Sequence, residues 1–199
     1  MSETAPLILA SKSASRRAML DAAGLAYKAV PADIDERAVE EELKDATPGE
    51  IAEALSVAKA AAVAKLHPGA LVLGSDSLVV VDGRRFDKPG SRDEAADHLR
   101  YFSGKTMQLH SGAALVRDKA CEWSYTACAH LTVRDLSEGF IAYYLDHEWP
   151  EVGHTVGVFR IEAMGVQLFS AIEGDQFTIL GMPLLPLLGA LRDQGVLRA

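Results

Sequence analysis

The stretch Leu71–Gly83, LVLGSDSLVVVDG, decides the fold prediction because it reads as a buried strand that ends in a hairpin turn. Leu71–Ser75 and Leu78–Val81 are rich in the aliphatic and β-branched residues that favour strands. Asp82-Gly83 is a strong signal for a two-residue hairpin turn. Asp76 lies between the two strand-forming segments. It is either a turn residue, a structural acid with satisfied hydrogen bonds, or the centre of an active site.

Strands and helices alternate irregularly on both sides of this stretch. Leu7–Ala10 predicts a short strand, and Ser13 is a suitable cap for the helix that follows it. Thr47 with Glu50, and Ser91 with Glu94, form the spacing of capping boxes at the starts of two further helices, the second running to about Phe102.

Two hairpins are predicted in the second half of the chain. Met107–Val116 and Trp123–Val133 form the first, and Val166–Ile172 and Phe177–Leu180 form the second, around the sequence EGDQ. The mixture predicts an α/β (mixed α+β) fold with a central mixed, twisted sheet and flanking helices. A length of 199 residues fits a single domain over residues 1–199.

The net charge restricts the partners. Twenty-eight acids against twenty Lys and Arg give −8, which argues against a duplex-DNA or anionic-membrane binder, although a small anion in a local basic pocket stays compatible. The only two cysteines, Cys121 and Cys128, are seven residues apart in a predicted strand and so face opposite ways. Without a signal peptide or a long apolar span, we expect a cytoplasmic chain with reduced thiols.

Basic residues occur next to turns. Lys12, Arg16 and Arg17 lie among hydroxyl side chains where a strand passes into a helix, and helix N-termini with arginines bind phosphates. Lys59 lies at the edge of the apolar stripe of its helix, where a lysine ordinarily covers core surface with its stem. Lys88, before a proline, is equally ambiguous on its own.

The acids point to divalent-cation chemistry. A carboxylate such as Asp76 can hold a divalent cation or accept a proton from water. Near phosphates Mg²⁺ uses one or two protein carboxylates, so Asp76 with Glu36 of the segment PADIDER would suffice. GSDSL is not a serine-hydrolase elbow, because Asp76 occupies the nucleophile position and the second glycine is missing. Zinc-protease spacing, the phosphate-binding P-loop and the dinucleotide-binding glycine pattern are also absent.

Six segments, taken in order, resemble the Maf (multicopy-associated filamentation) family of nucleotide pyrophosphatases over nearly the whole chain. They are LILASKSASRRAML with its S-x-S-x-x-R pattern, DIDE, AKAAAVA, VLGSDSLVVVDGRRFDKP, SGKTMQLHSGAAL and IEGDQFTILGMPLLPLL. The resemblance implies a Maf/ITPase-like fold of two lobes around a cleft. It also implies hydrolysis of a nucleoside triphosphate between the α and β phosphates, with Mg²⁺ or Mn²⁺, by a homodimer that clears modified or surplus nucleotides.

The resemblance also implies roles for individual residues. Asp76 would activate water, Glu36 would assist it, and both would hold the metal. Four residues would bind the phosphates: Ser11, Arg16, Lys59 and Lys88. This interpretation replaces the ordinary one for the two lysines.

Departures from the family pattern bear on the choice of base. Ala14 and Ser15 stand where members often have Pro followed by Arg or Trp, and Ser77 stands where Thr is common in pyrimidine-type members. Glu162, in VGVFRIEAMG, replaces a Gln of those members and is similar to the 7-methyl-GTP-type subfamily. We therefore expect Ser15, Ser77 and Glu162 to influence specificity. The preferred base stays open, and 7-methyl-GTP is one of the candidate substrates.

A different class of function is also compatible with these residues. A non-catalytic nucleotide sensor that regulates cell division would bind nucleotide without turnover. Nucleic-acid binding through the SASRR turn is disfavoured by the net charge of −8.

Overall fold

The structure is a computed structural model and describes residues 7–198. It divides into two compact units. Unit 1 comprises the described parts of Met1–Ser77, His110–Ala127 and Gln176–Ala199, and unit 2 comprises Leu78–Leu109 and Cys128–Asp175. Among residues 7–198, no helix combines the length and apolar character needed to cross a bilayer.

The described residues form seven strands and seven α-helices. The strands are β1 (Leu7–Leu9), β2 (Tyr27–Ala29), β3 (Leu71–Val81), β4 (Arg84–Phe86), β5 (Thr106–Arg117), β6 (Ala120–Val133) and β7 (Phe169–Glu173). The helices are α1 (Ala14–Ala22), α2 (Glu36–Glu42), α3 (Pro48–Ala64), α4 (Arg92–Phe102), α5 (Glu138–Glu148), α6 (Gln176–Ile179) and α7 (Leu184–Asp193). The prediction of a mixed α/β fold is confirmed.

The seven strands form one mixed sheet in the order β2-β1-β3-β5-β6-β7, with β4 paired to β3. β1 is parallel to both β2 and β3, whereas β4 is antiparallel to β3 and β7 is antiparallel to β6. The chain leaves β1 through α1 to β2, and returns through α2 and α3 to β3 on the opposite side of β1. This change of direction is a topological switch point, the place where α/β sheets bind ligands beyond the carboxyl ends of their strands.

The stretch Leu71–Gly83 forms the strand and the turn that its sequence predicts. β3 is continuous through Asp76, and Val81 pairs with Arg84 across the turn. Asp82 and Gly83 have φ of 50° and 74°. Positive φ at both central residues is the requirement of a type I′ turn, which Asp-Gly meets at low cost.

Two clusters of buried residues lie in the described part of unit 1, one for each set of alternating side chains on β1 and β3. Leu7, Leu9, Leu71 and Leu73 pack with residues of α1 and α7, whereas Ile8 and Val72 pack with residues of α3. Successive strand residues point to opposite faces. Asp76 therefore shares its face with Val72 and Gly74, the face on which α3 lies.

Two glycines allow α3 to lie unusually close to the sheet. A Cβ atom added at Gly112 would lie 2.6 Å from the carbonyl oxygen of Ala52, and one added at Gly74 would lie 2.8 Å from the amide nitrogen of Ala60. Both distances are shorter than ordinary van der Waals contact, so the sheet accepts the helix only without side chains at these positions. Thr47 begins α3 with the predicted capping box.

Unit 2 has its own packing and ion pairs. Phe86 contacts the rings of His98 and Phe102 edge-on. The buried carboxylate of Glu148 accepts a hydrogen bond of 2.9 Å from Arg160 Nε and forms an ion pair of 2.9 Å with Arg160 Nη2. The side-chain hydrogen bond from Arg160 to Glu148 raises the pKa of the guanidinium.

The predicted hairpin around EGDQ is wrong. Residues 164–168 form a 3₁₀-helix, β7 (Phe169–Glu173) pairs with β6, and Gln176–Ile179 is the short helix α6. A short apolar run does not distinguish a strand from a buried helical turn by its pattern alone. In the structure Thr178 and Ile179 of the helical turn are buried, and β7 pairs with β6 instead.

Candidate active site

The candidate site begins at the carboxyl end of β1, in unit 1. Ser11 follows β1 and is only 8% exposed. Its hydroxyl oxygen accepts a hydrogen bond from the backbone N–H of Ser13, the residue whose side chain caps α1. This tight turn places Arg16, in the first turn of α1, next to the topological switch point of the sheet.

Three charged side chains from three elements meet beside the turn. Lys59 of α3 donates to Asp76 of β3, and its Nζ lies 2.7 Å from a carboxylate oxygen of Glu36, the first residue of α2. The side chain of Lys59 is 13% exposed and that of Asp76 is 11% exposed, whereas that of Glu36 is 48% exposed. Lys59 and Asp76 are thus nearly buried, and Glu36 is the member of the group that solvent reaches most.

Arg16 supplies a second cation, and its guanidinium is fixed by neighbouring groups. It donates to the carbonyl oxygen of Gly181 at 2.9 Å, to Ser77 Oγ at 3.0 Å and to Ser11 Oγ at 3.4 Å. Burial lowers the pKa of Arg16, and the negative charges of Asp76 and Glu36 oppose that effect. Arginine stays protonated under such shifts, so the site holds two cations and two carboxylates.

A group of hydroxyl and carbonyl contacts beside Arg16 was not predicted from the sequence. The carbonyl oxygen of Gly181 also lies 3.1 Å from Ser75 Oγ and 3.1 Å from Ser77 Oγ. Ser111 Oγ donates to the carbonyl oxygen of Thr178 at 2.8 Å and lies 3.0 Å from Ser77 Oγ. The available signal was the glycine in ILGMP, since Gly181 has φ of 100°, a conformation that favours glycine.

The predicted site residues divide between the two units. Unit 1 brings together seven of them: Ser11, Ser15, Arg16, Glu36, Lys59, Asp76 and Ser77. The hydroxyl of Ser15 donates to the carbonyl oxygen of Leu180 at 2.8 Å. Lys88 and Glu162 are exposed residues of unit 2.

The two carboxylates suit a divalent cation whose other ligands are phosphate and water oxygens. No group of three or more His, Cys, Asp or Glu residues within residues 7–198 could hold a metal on its own. Asp76 and Glu36, however, both reach the same ammonium group, so their oxygens can approach one cation. Mg²⁺ bound near phosphates typically has one or two protein carboxylates, with phosphate and water oxygens as its other ligands.

The chain has close relatives among known proteins. A family model described as Maf-like protein matches residues 6–194. A nucleoside triphosphate pyrophosphatase of Nitrobacter hamburgensis is 48% identical over 98% of this chain and 96% of its own length. A 7-methyl-GTP pyrophosphatase of Rhizobium etli is 47% identical over 98% of both chains. The solved structure of a HAM1 protein from Coxiella burnetii aligns with 65% of this chain and 73% of its own, at 18% identity and a TM-score of 0.44.

Proposed function

The chain belongs to the Maf family, and from this premise we propose that it is a nucleoside triphosphate pyrophosphatase. It hydrolyses the anhydride between the α and β phosphates and releases a nucleoside monophosphate and pyrophosphate. The observation that carries the proposal is the meeting of Lys59 with both Asp76 and Glu36, beside the guanidinium of Arg16. Cations for a polyphosphate and carboxylates for water activation are the two requirements of this reaction.

The side chains divide the work according to their charge. Asp76 accepts a proton from the attacking water as that water bonds to phosphorus and the bridging oxygen leaves with pyrophosphate. Arg16 and Lys59 bind phosphate oxygens and offset the charge that develops on them, and the hydroxyl of Ser11 donates to the same oxygens. Glu36, half exposed beside Lys59, orients the water.

A divalent cation, Mg²⁺ or Mn²⁺, held by Asp76 and Glu36 together with the triphosphate, would neutralise phosphate charge and favour ionisation of the water. Two carboxylates supply negative charge and the one or two protein ligands that Mg²⁺ typically has near phosphates. Oxygens of the substrate and of water would fill its other coordination positions. We expect neither a nucleic acid nor a membrane as a partner, because the net charge of the chain is −8.

Two groups of relatives and one exposed carboxylate bear on the base preference. Close relatives named simply nucleoside triphosphate pyrophosphatases and relatives named 7-methyl-GTP pyrophosphatases match this chain equally well, at 45–48% and 46–47% identity. An exposed carboxylate at Glu162 suits the N–H donors of a purine edge, which favours 7-methyl-GTP over pyrimidine nucleotides. Ser15 and Ser77 are proposed as further specificity residues, and Lys88 as a further phosphate ligand.

We expect residues 1–199 to act as one functional domain, in the cytoplasm, and as a homodimer. Sedimentation velocity at several protein concentrations tests the last of these expectations. A single monomeric species at micromolar concentration would contradict it.

The decisive experiment combines a substrate panel with one substitution. The protein is incubated with Mg²⁺ and 7-methyl-GTP, dTTP, UTP and 5-methyl-UTP, and pyrophosphate and orthophosphate are quantified separately. We expect pyrophosphate, and a kcat lower by roughly 10²–10⁴-fold in Asp76→Asn, because a general base contributes about that factor. The exposed turn residue Asp45 provides the matched control, Asp45→Asn, with unchanged kcat.

Two results would contradict the proposal. Release of orthophosphate alone would place the cleavage at another bond, and equal turnover by Asp76→Asn would remove Asp76 from the mechanism. Tight nucleotide binding without any product would instead support the nucleotide-sensor function.

A further inference from the structure

The charges of the site are balanced without a metal. Lys59 and Arg16 carry two positive charges, and Asp76 and Glu36 carry two negative charges. Both carboxylates direct an oxygen to the same Nζ atom of Lys59, whose side chain is 13% exposed. One oxygen of each carboxylate is therefore already occupied by the ammonium group of Lys59.

A divalent cation and the ammonium of Lys59 compete for the same oxygens. If both were held between Asp76 and Glu36, three positive charges would lie within a few ångströms of each other, with Arg16 as a fourth nearby. Repulsion between charges at such distances is strong in a partly buried site, where solvent screens it poorly. Binding of the metal thus requires that one cation move away.

Of the two resident cations, Lys59 is the one that can move. Arg16 is held by hydrogen bonds to Ser11, Ser77 and Gly181, so moving it would break three contacts. Lys59 contacts carboxylates through a flexible four-carbon stem, and its ammonium can turn without any change in the backbone of α3. The half-exposed Glu36 leaves an open side by which a metal can enter.

We propose that Lys59 is an internal competitor of the divalent cation, and that its ammonium leaves Asp76 and Glu36 only when triphosphate oxygens offer it another partner. This inference rests on the proposed function, since it assigns the second partner of Lys59 to the substrate. Metal and nucleotide then bind together: each raises the affinity for the other by the same factor, as linkage demands. In the absence of nucleotide the protein binds Mn²⁺ weakly.

The test measures Mn²⁺ binding to the nucleotide-free protein by electron paramagnetic resonance. We expect Lys59→Met to bind Mn²⁺ about tenfold or more tightly than the wild type, since couplings between sites are commonly 5–150-fold. Lys59→Arg keeps the positive charge and should stay as weak as the wild type. Lys65→Met, at the exposed C-terminal end of the same helix, should leave the affinity unchanged.

A double variant localises the effect. Asp76→Asn in the Lys59→Met background should abolish the gain, because the metal then loses a carboxylate ligand. Equal or weaker Mn²⁺ binding by Lys59→Met would overturn the inference, and so would a gain that survives in the double variant. Circular dichroism and thermal melting establish that each variant is folded before its affinity is measured.

A second measurement uses the wild type and does not depend on the folding of a variant. In a crystal structure with Mn²⁺ and a non-hydrolysable α,β-methylene triphosphate, we expect Lys59 Nζ on a phosphate oxygen and the anomalous signal of Mn²⁺ beside Asp76. A metal site with Lys59 still between both carboxylates would overturn the inference. Pyrophosphate release by the wild type is measured in parallel. Release without the movement of Lys59 would contradict only the competition, whereas the absence of release would contradict the proposed function.

Discussion

Gly74 controls the distance between Lys59 and Asp76, and Gly74→Ala should weaken both the fold and the activity. Gly74 precedes Asp76 by two residues on β3, so the two lie on the face toward α3. A Cβ at this position would meet the carbonyl oxygen of Ser56 and lie 2.8 Å from the amide nitrogen of Ala60. Ordinary contact begins at 3.4 Å, so helix and strand must separate by at least 0.6 Å at Ala60, and by more at Ser56.

This separation has two measurable consequences. Overpacking of a filled core costs about 1–3 kcal/mol of unfolding free energy. For a chain of this size that lowers the melting temperature by about 2–12 °C. Displacement of catalytic groups by about 1 Å can reduce the rate 10²-fold, so we expect kcat to fall roughly tenfold or more while the variant is still folded.

The assay compares urea denaturation and steady-state kinetics at a temperature where both proteins are fully folded. Gly139→Ala in α5 is the matched control, because a Cβ there meets nothing within 4 Å. That substitution should leave kcat unchanged and stability equal or slightly higher, as Ala favours helices over Gly. Wild-type stability and wild-type kcat in Gly74→Ala would refute the reasoning that close approach of α3 sets the site.

Three further predictions concern other parts of the molecule. Arg16→Lys should raise the KM for the triphosphate roughly tenfold, because one ammonium cannot reach the three acceptors of the guanidinium; an unchanged KM in steady-state kinetics would contradict this. Gly181→Ala should lower the unfolding free energy measured in urea by about 1–3 kcal/mol, because φ is 100° and the new Cβ would lie 3.3 Å from Ser77 Oγ; stability equal to the wild type would exclude that strain. Burial lowers the pKa of His98, so the unfolded chain binds its proton more readily and stability should fall as pH drops below about 6.5. His98→Gln should reduce this slope in urea titrations between pH 7 and 5, and identical slopes would assign the loss to other groups.

Local sequence signals predicted the parts of the fold that local interactions decide. The Asp82-Gly83 turn, the capping box at Thr47 and the strand through Asp76 depend on residues a few positions apart. The EGDQ hairpin failed because its outcome depends on partners distant in the sequence. β7 pairs with β6, about 40 residues earlier, and no local pattern at Phe169–Glu173 names that partner.

The candidate site shows the same difference between what local signals predict and what depends on residues distant in the sequence. Charge and hydroxyl content marked Arg16 and Asp76, whereas the helix pattern alone made Lys59 an ordinary lysine, and only the family resemblance implied a role for it. Its contacts with two carboxylates depend on neighbours in space that no local pattern gives. Ser111 carried no signal, because a serine in a strand looks ordinary in any sequence. The glycine in ILGMP indicated an unusual backbone conformation, but not which groups its carbonyl oxygen would contact. Their importance comes from tertiary contacts. Ser111 contacts residues 34 and 67 positions away, and the carbonyl of Gly181 contacts residues more than a hundred positions away.

Unit 1 is assembled from three separated segments of the chain, and this bears on its synthesis. Leu7 and Leu9 pack in one cluster with Leu187 and Leu191, and Arg16 depends on a carbonyl at Gly181. Because translation proceeds from the N-terminus, β1 emerges from the ribosome long before α7, against which it packs. A nascent or prematurely terminated chain that ends before Gln176 therefore has an unfinished core and lacks one support of its arginine. Such fragments expose apolar surface to chaperones and proteases, and have no complete site with which to consume the cell's triphosphates.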